Sequence, residues 1–294
     1  MATIMEILQE YLSQTLNDLN TYPFLPRMVA ASVLVAIPCS MLSVFVVFKR
    51  LAFLGPGICW AAMGGIALGL FCFSHSVESN INVYACTIGF CLFVAALVAL
   101  TSRSGRIPAD SAIGIYVSAG MALGILLNSF PNMHVGDFSH YLFGTILIAS
   151  QPDLMVVVIL ALLVAGFIFL LKKDFFVFCF DPIFSKIIGI STGFLHYSLI
   201  GLLAITIIVC VKIAGVLLTT SLLVIPGACA RLMTMNYGRM FVCSLFVAVF
   251  SSILGAVLSI SIFPYPPDAV IVLIQFAFFI FLLFIQSLTR RNRI

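Results

Sequence analysis

Residues 153–171 read DLMVVVILALLVAGFIFLL and are followed directly by Lys172 and Lys173. Apart from the aspartate that opens it, this stretch has no charged side chain, and about 20 mostly apolar residues are enough for a helix to cross a bilayer. Over all 294 residues, 63% are hydrophobic and only 8% are charged, whereas a soluble domain carries about 25% charged residues. The sequence therefore predicts an all-α, polytopic helical membrane protein.

Similar apolar runs occur along the whole chain, and nine spans are predicted. The sixth and the short seventh meet at Lys212, so the count could become eight or ten at that point. The nine runs cover residues 28–48, 51–73, 81–100, 111–130, 153–171, 193–211, 213–229, 240–263 and 268–288.

The lysines and arginines indicate the orientation of these spans. If the connection after the first span is cytoplasmic, only Arg27 and Lys212 of the 14 basic residues fall on the outer side. Because short cytoplasmic loops are enriched in Lys and Arg, the N-terminus is predicted to lie outside and the C-terminus inside. The residues on the cytoplasmic side are Lys49, Arg50, Arg103, Arg106, Lys172, Lys173, Lys186, Arg231, Arg239, Arg290, Arg291 and Arg293.

This topology divides the chain into three parts. Residues 1–25 form an external segment, in which residues 4–19 have the spacing of a short amphipathic helix on the outer interface. Residues 26–289 form the transmembrane domain, with a long cytoplasmic loop at 172–192. Residues 290–294 form a basic cytoplasmic tail.

The predicted spans lack the side chains that membrane enzymes and ion-coupled pumps use. All ten acidic residues fall in loops, in tails or at the ends of spans, whereas an ionisable residue within a bilayer usually marks an ion path. The nine cysteines show no CxxC pair, and the phosphate-binding sequence GxxxxGK[ST] is missing. The chain is therefore predicted not to be an enzyme, and any transport would draw its energy from a separate ATPase subunit.

Small residues recur every four positions in two of the predicted spans. Such ridges let helix backbones approach closely in lipid, so these residues are predicted to form helix-packing surfaces. They are Gly57, Ala61, Gly65 and Gly69 in the second span, and Gly120 and Gly124 in the fourth.

Six stretches of sequence, taken in order, carry a family resemblance. They are 22–27 (YPFLPR), 45–55 (FVVFKRLAFLG), 110–115 (DSAIGI), 141–144 (YLFG), 180–182 (FDP) with Gly189, and 215–231 (GVLL followed by LVIPGACAR). In this order and spacing they resemble the metal ABC transporter permease family, the membrane subunits of bacterial ABC importers for zinc, manganese and iron.

The resemblance implies a set of partners and a location. A permease of this family pairs with a second permease copy or a paralogue, with cytoplasmic ABC ATPases that bind ATP, and with an external metal-binding protein. The transported divalent metal is the cargo, and no cofactor is expected on this chain itself. The location implied is the bacterial inner membrane.

The resemblance also identifies the helix that docks into the ATPase. Asp181 can cap the start of a short helix, Pro182 suits its first turn and Gly189 can end it. Lys186 lies between them. These four residues are predicted to couple the permease to the ATPase, although a simple membrane-surface loop would explain them as well.

The start of the second span departs from the family. Most members read Gly-Asp-Ala-x-Ser-His-Ala there, and the Asp and His, four residues apart, share one helix face as two metal ligands would. Here residues 55–61 read GPGICWA, so that Pro56 and Trp60 replace the two ligands. Neither replacement is a good ligand for a divalent metal.

Three explanations remain open for this departure. The ion could pass with fewer ligands, with Cys59 contributing a thiolate. A second, different permease could supply the ligands in a heterodimer. The cargo could also be a metal chelate rather than a bare ion. The alternative to a transport function is a scaffold subunit that has lost the metal pathway.

One further group of metal-ligand residue types lies in the outer loop after the fourth span. His134 and Asp137 would share a face if this loop were helical, and His140 would point away by about 120°. They are candidate ligands for a delivered ion, although a solvated loop would use the same polar residues.

Overall fold

The computed structural model describes residues 24–73, 79–103, 107–129, 151–180, 182–234, 236–261 and 266–291. Every regular element within these ranges is a helix, which confirms the predicted all-α class. In chain order the helices are α1 (Phe24–Lys49), α2 (Leu54–Phe73), α3 (Ser79–Arg103), α4 (Ala109–Asn128), α5 (Gln151–Phe180), α6 (Pro182–Ile187), α7 (Thr192–Met233), α8 (Tyr237–Ser261) and α9 (Pro267–Arg291).

Eight of these helices are long and apolar enough to cross a membrane, and α6 is too short. The difference from nine predicted spans arises in α7, because the sixth and seventh predicted spans join there into a run of 42 residues. Lys212 does not end the helix, since lysine is a good helix former. The break comes at Gly215, whose φ of 70° and ψ of 172° are not helical and favour glycine.

Gly215 divides α7 into two arms of different length. The arms are Thr192–Ala214, about 35 Å long, and residues 216–233, about 27 Å long, at about 1.5 Å per residue. A bilayer core is about 30 Å thick, so each arm has the length of one crossing. The whole run would be about 63 Å long, roughly two crossings.

The chain forms two compact units. Unit 1 contains Met1–Val44, Phe143–Leu162 and Ile213–Ile294. Unit 2 contains Phe45–Leu142 and Leu163–Lys212.

Close approach at small residues holds unit 1 together around α1. The backbone N–H of Gly227 on α7 donates a hydrogen bond of 2.7 Å to Ser43 Oγ. A Cβ at Gly227 would lie 2.5 Å from the Ser43 carbonyl oxygen, so only glycine fits. On α8, Ser244 Oγ donates to the Ser40 carbonyl oxygen at 2.8 Å. These two hydrogen bonds, made at fully buried serines, thus join α7 and α8 to α1.

In unit 2, α2 packs against both α3 and α4. Toward α3, a Cβ at Gly65 would lie 2.9 Å from Thr87 Cα, and one at Gly69 would lie 3.0 Å from Val83 Cα. Toward α4, a Cβ at Gly64 would lie 2.5 Å from the carbonyl oxygen of Gly120. Glycines on two faces of α2 therefore allow backbone-to-backbone packing with both neighbours.

Candidate transport site and ATPase-contacting segment

A tight turn sets the start of α2, where the family resemblance places metal ligands. Arg50 follows the end of α1 with a φ of 56°, in the left-handed region. The Leu51 N–H donates to the Val46 carbonyl oxygen at 2.9 Å, which closes the end of α1. The chain then enters α2 at Leu54, so Pro56 falls in the first turn, where a missing N–H does not interrupt the helix.

The three predicted pathway residues of this turn differ in burial. Pro56 is half-buried, Cys59 is only 2% exposed and Trp60 is 37% exposed. Cys91 on α3 is fully buried, and its Sγ lies 3.9 Å from the carbonyl oxygen of Ile58. The start of α2 is thus lined by a proline ring, an indole and a buried thiol.

This set of side chains has little capacity to hold a divalent cation. Proline has no ligand atom in its side chain, and an indole N–H only donates hydrogen bonds. Within the part of the chain that the structure describes, no three His, Cys, Asp or Glu side chains come together as a metal site would need. Among the described residues, the start of α2 therefore offers few ligand atoms of its own.

The packing around this turn explains why small residues are needed beside Trp60. A Cβ at Gly57 would lie 2.6 Å from Ile113 Cγ2 on α4. A Cβ at Gly120 would lie 3.3 Å from Ala61 Cα. Gly57 and Ala61 of the predicted ridge thus face α4, whose side chains and backbone close that side of α2.

Lys49 secures the end of α5, directly before α6. Its Nζ donates to the Phe178 carbonyl oxygen at 2.8 Å and lies 3.5 Å from the centre of the Phe178 ring. Phe178 belongs to the last turn of α5, where carbonyl groups lack a partner within the helix and a positive charge is favourable. Burial raises the pKa of the neighbouring Cys179 thiol to about 12, and Lys49 opposes that shift. Lys49 therefore caps α5, and Cys179 remains a neutral thiol at neutral pH.

The end of α3 is joined to the start of α7 in the same unit. Ser102 Oγ and His196 Nε2 are 3.0 Å apart. Arg103 donates to the Tyr197 hydroxyl at 3.3 Å, with its guanidinium 5.2 Å from the ring centre. These contacts and the Lys49 cap hold the helix ends on both sides of α6.

Helix α6 presents apolar side chains to its surroundings. Phe184 and Ile187 are exposed, at 51% and 76%, as is Lys186, whereas Ser185 is fully buried. Gly189 ends the helix with a φ of 85°. The N–H of Ile190 donates to the Ser185 carbonyl oxygen at 3.0 Å, and the N–H of Gly189 donates to the Lys186 carbonyl oxygen at 3.1 Å. These two bonds form a Schellman motif that needs a left-handed residue at position 189.

Some predicted residues lie outside the described residues. They are Asp181 and the outer-loop group His134, Asp137 and His140, together with the amphipathic segment at 4–19.

Sequence reasoning missed three features that the structure shows. The close approach of Gly64 to Gly120 was not predicted, because Gly64 was not part of the predicted ridge. The hydrogen bond from Lys49 to Phe178 was also missed, because Lys49 was interpreted only as a sign of orientation. The burial of Asp268 and Gln275 on α9 was the third. The only sign of it in the sequence is that these two polar residues lie in or beside an apolar run.

Comparisons with known proteins place the chain among transport proteins. Residues 21–286 match the family described as the ABC 3 transport family. The manganese transport system membrane protein MntC of Listeria monocytogenes is 32% identical over 92% of this chain and 93% of that protein. The chelated iron transport system membrane protein YfeD of Yersinia pestis is 32% identical over 88% of this chain and 84% of that protein. The structure of PsaBC from Streptococcus pneumoniae in complex with Fab matches with a TM-score of 0.76 and 25% identity, over 92% of this chain and 95% of that chain.

Proposed function

Because the chain belongs to the ABC 3 transport family, we propose that it is the permease subunit of an importer for a transition-metal cation: zinc, manganese or iron. The match over residues 21–286 carries this proposal, since it begins before α1 and ends in the last turns of α9. Relatives named for manganese and iron transport support a cation of this class. A separate cytoplasmic subunit hydrolyses ATP, and this chain rearranges its helices to give the cation access to one side and then the other.

The proposed location is the bacterial inner membrane, with the N-terminus outside and the C-terminus in the cytoplasm. The two arms of α7 support nine crossings. A single crossing by α7 would put Arg231 and Arg239 on the side opposite Lys49 and Arg103. Two crossings keep these four residues on one side, as the distribution of basic residues in membrane proteins favours.

The surface proposed to contact the ATPase is α6 with Gly189. Exposed Phe184 and Ile187 offer an apolar face on the basic side of the membrane. Since Lys49 caps α5 just before α6, a push on α6 would be passed to the ends of α1 and α5. Asp181, Pro182 and Lys186 complete the proposed contact.

Pro56 and Trp60 favour an assembly in which this chain does not supply the family's ligand pair. A heterodimer with a second permease that retains Asp and His is the first alternative, and a homodimer with fewer ligands, including Cys59, is the second. An external metal-binding protein delivers the ion in either case. A metal-chelate importer is the second candidate function, because a chelate brings its own ligands; a scaffold without transport is the third.

Uptake of radioactive metal into proteoliposomes tests this proposal. The vesicles would hold this chain with its ATPase and binding protein, with and without a second permease, and would be offered Mn²⁺, Fe²⁺ or Zn²⁺. ATP-dependent uptake of a bare cation is expected. Uptake of a chelate alone would favour the second candidate, and the lack of uptake in every combination would contradict a transport role.

A further inference from the structure

Buried polar groups without a partner are concentrated in unit 1. Among the described residues, the buried side-chain nitrogen and oxygen atoms that make no hydrogen bond are all in this unit. They are Ser252 Oγ on α8, Asp268 Oδ1 and both amide atoms of Gln275 on α9, and Thr219 Oγ1 on α7.

Two of these residues lie on one face of α9. Asp268 and Gln275 are seven positions apart, which is close to two helical turns, and Ile271 lies between them on the same face. Asp268 is 7% exposed, and Ile271 and Gln275 are fully buried. Asp268 is also the one carboxylate that is buried among the described residues.

The packing of α8 on α9 brings a matching face of α8 opposite. The two helices pack on each other and are joined by only a few residues, so they run antiparallel. A Cβ at Gly255 would lie 2.5 Å from Ile271 Cγ1, which puts these residues directly opposite each other. In this register Ser252 falls at the level of Gln275, and Ser259 falls at the level of Asp268. We call these four residues, Ser252, Ser259, Asp268 and Gln275, the polar seam.

The unpaired atoms of Ser252, Asp268 and Gln275 cost stability unless they bind something during function. A buried amide that loses its water without gaining a hydrogen bond is destabilising, and an apolar residue of similar size would not be. In a bilayer this penalty has no relief from solvent. A polar residue that is retained at such a cost inside a membrane usually marks a substrate or ion path.

The atoms of the seam identify the class of ligand. A carboxylate, an amide carbonyl and hydroxyl oxygens are hard donors, which suit manganese better than soft, thiolate-seeking metals. Asp268 and Gln275 are about 10 Å apart along the helix, so that they would meet an ion one after the other. Waters would have to complete the coordination shell at each position.

We propose that the polar seam is the path of a hydrated hard divalent cation, of the Mn²⁺ class, and replaces the ligand pair that is missing at Pro56 and Trp60. This inference rests on the proposed transport function. In the proposed topology Asp268 lies at the outer end of α9, where it attracts the cation, and Gln275 with Ser252 receives it deeper in the membrane. The seam opens to water during the transport cycle, and the structure shows it closed.

The variant Gln275→Leu separates this role from a structural one. It removes both unpaired amide atoms, so the melting temperature of the purified complex should rise by about 2–4 °C. Mn²⁺ uptake should fall by at least about tenfold, because the path loses its deepest polar contact. The matched control is Ser251→Ala, whose hydroxyl bonds the Ala248 carbonyl oxygen of its own helix, and its uptake should equal that of the wild type. Unchanged uptake in Gln275→Leu would overturn the proposal.

A second measurement does not depend on uptake. Ser252→Cys in the reconstituted complex would be treated with a membrane-impermeant methanethiosulfonate, and the modified peptide would be quantified by mass spectrometry. Modification during ATP turnover, with protection by excess Mn²⁺, is expected, while native Cys91, which is fully buried in unit 2, stays unmodified. Lack of modification in every nucleotide state, or modification that Mn²⁺ does not reduce, would overturn the seam as a cation path. If the wild-type complex moves no cation, the transport function fails, and the thiol result still decides whether the seam meets water and Mn²⁺.

Discussion

The start of α2 and the polar seam between α8 and α9 have opposite characters. At the start of α2, where the family resemblance places an Asp and a His, this chain has Pro56 and Trp60, and glycines pack the helix against its neighbours. In the seam, Asp268 and Gln275 are buried with unpaired polar atoms. The first region is well packed and offers few ligand atoms, while the second has buried polar atoms without a hydrogen bond and oxygen donors that suit a cation.

This difference between the two regions corresponds to a difference in the contacts that the two units contain. Unit 2 holds the glycine contacts of α2, the Lys49 cap and α6, which are elements of packing and of the proposed ATPase contact. Unit 1 holds every buried side-chain nitrogen or oxygen atom that makes no hydrogen bond in the described part of the chain. A substitution should therefore affect folding, ATPase association or cation affinity according to the unit in which it falls.

The largest expected effect is on folding, at the packing contact of α2 with α4. Gly64→Val would place a Cβ 2.5 Å from the Gly120 carbonyl oxygen, a backbone atom that cannot move aside alone. A loss of about 3 kcal/mol or more is expected, with little folded protein in the membrane. The matched control is Gly114→Val on α4, where an added Cβ meets nothing within 4 Å. Equal yields of folded protein from the two variants, measured by size-exclusion chromatography in detergent, would contradict tight packing at this site.

The next effect is on cation affinity, and it compares two aspartates in the first turns of their helices. Asp268 on α9 is buried, and Asp110 on α4 is exposed. Asp268→Asn keeps the shape and removes the charge, so the Mn²⁺ concentration for half-maximal uptake should rise about tenfold, or about 1.4 kcal/mol. Asp110→Asn should leave this concentration unchanged. A similar shift in both variants would mean that general surface charge, rather than the seam, attracts the cation.

Most of the fold could be predicted because it depends on local composition. Long apolar runs ended by Lys and Arg predicted the helices, and the residues of α6 were identified as a short helix ending at Gly189. The boundary in α7 was misplaced by three residues. Lys212 is the charged residue that interrupts the run, but it is compatible with a helix, and the positive φ of Gly215 cannot be read from hydropathy.

The polar seam could not be predicted from the sequence. Gln275 is a single polar residue in an apolar run, and Asp268 lies at the end of a span, where an exposed position is the usual expectation. Their burial depends on Gly255, which lets α8 approach Ile271, and this is a contact between helices. The Lys49 cap on Phe178 was missed for the same reason, since 129 residues separate the two partners.

The third effect concerns ATPase association and should leave the seam unaffected. Gly189 has a φ of 85°, and an added Cβ meets nothing within 4 Å, so any penalty is purely conformational. Gly189→Ala should destabilise the end of α6 by about 1–2 kcal/mol and reduce the amount of ATPase that co-purifies. Gly189→Asn is the control, because asparagine tolerates the left-handed region, and it should recover much of the association. If both variants retain the full amount of ATPase, α6 is not the contact.

The smallest expected effect is that of restoring the family's ligand pair. Pro56→Asp combined with Trp60→His places the two ligands four residues apart on one face of α2, and the partly exposed Trp60 leaves room for a histidine. If the cation passes along the polar seam, uptake by this chain as the only permease should change by no more than about twofold. The single variants Pro56→Asp and Trp60→His control for damage to packing. An increase of about tenfold or more in the double variant alone would reverse the comparison. The path would then run along α2, this chain would be the half of a shared pathway that lacks ligands, and the unpaired atoms of the seam would need another explanation.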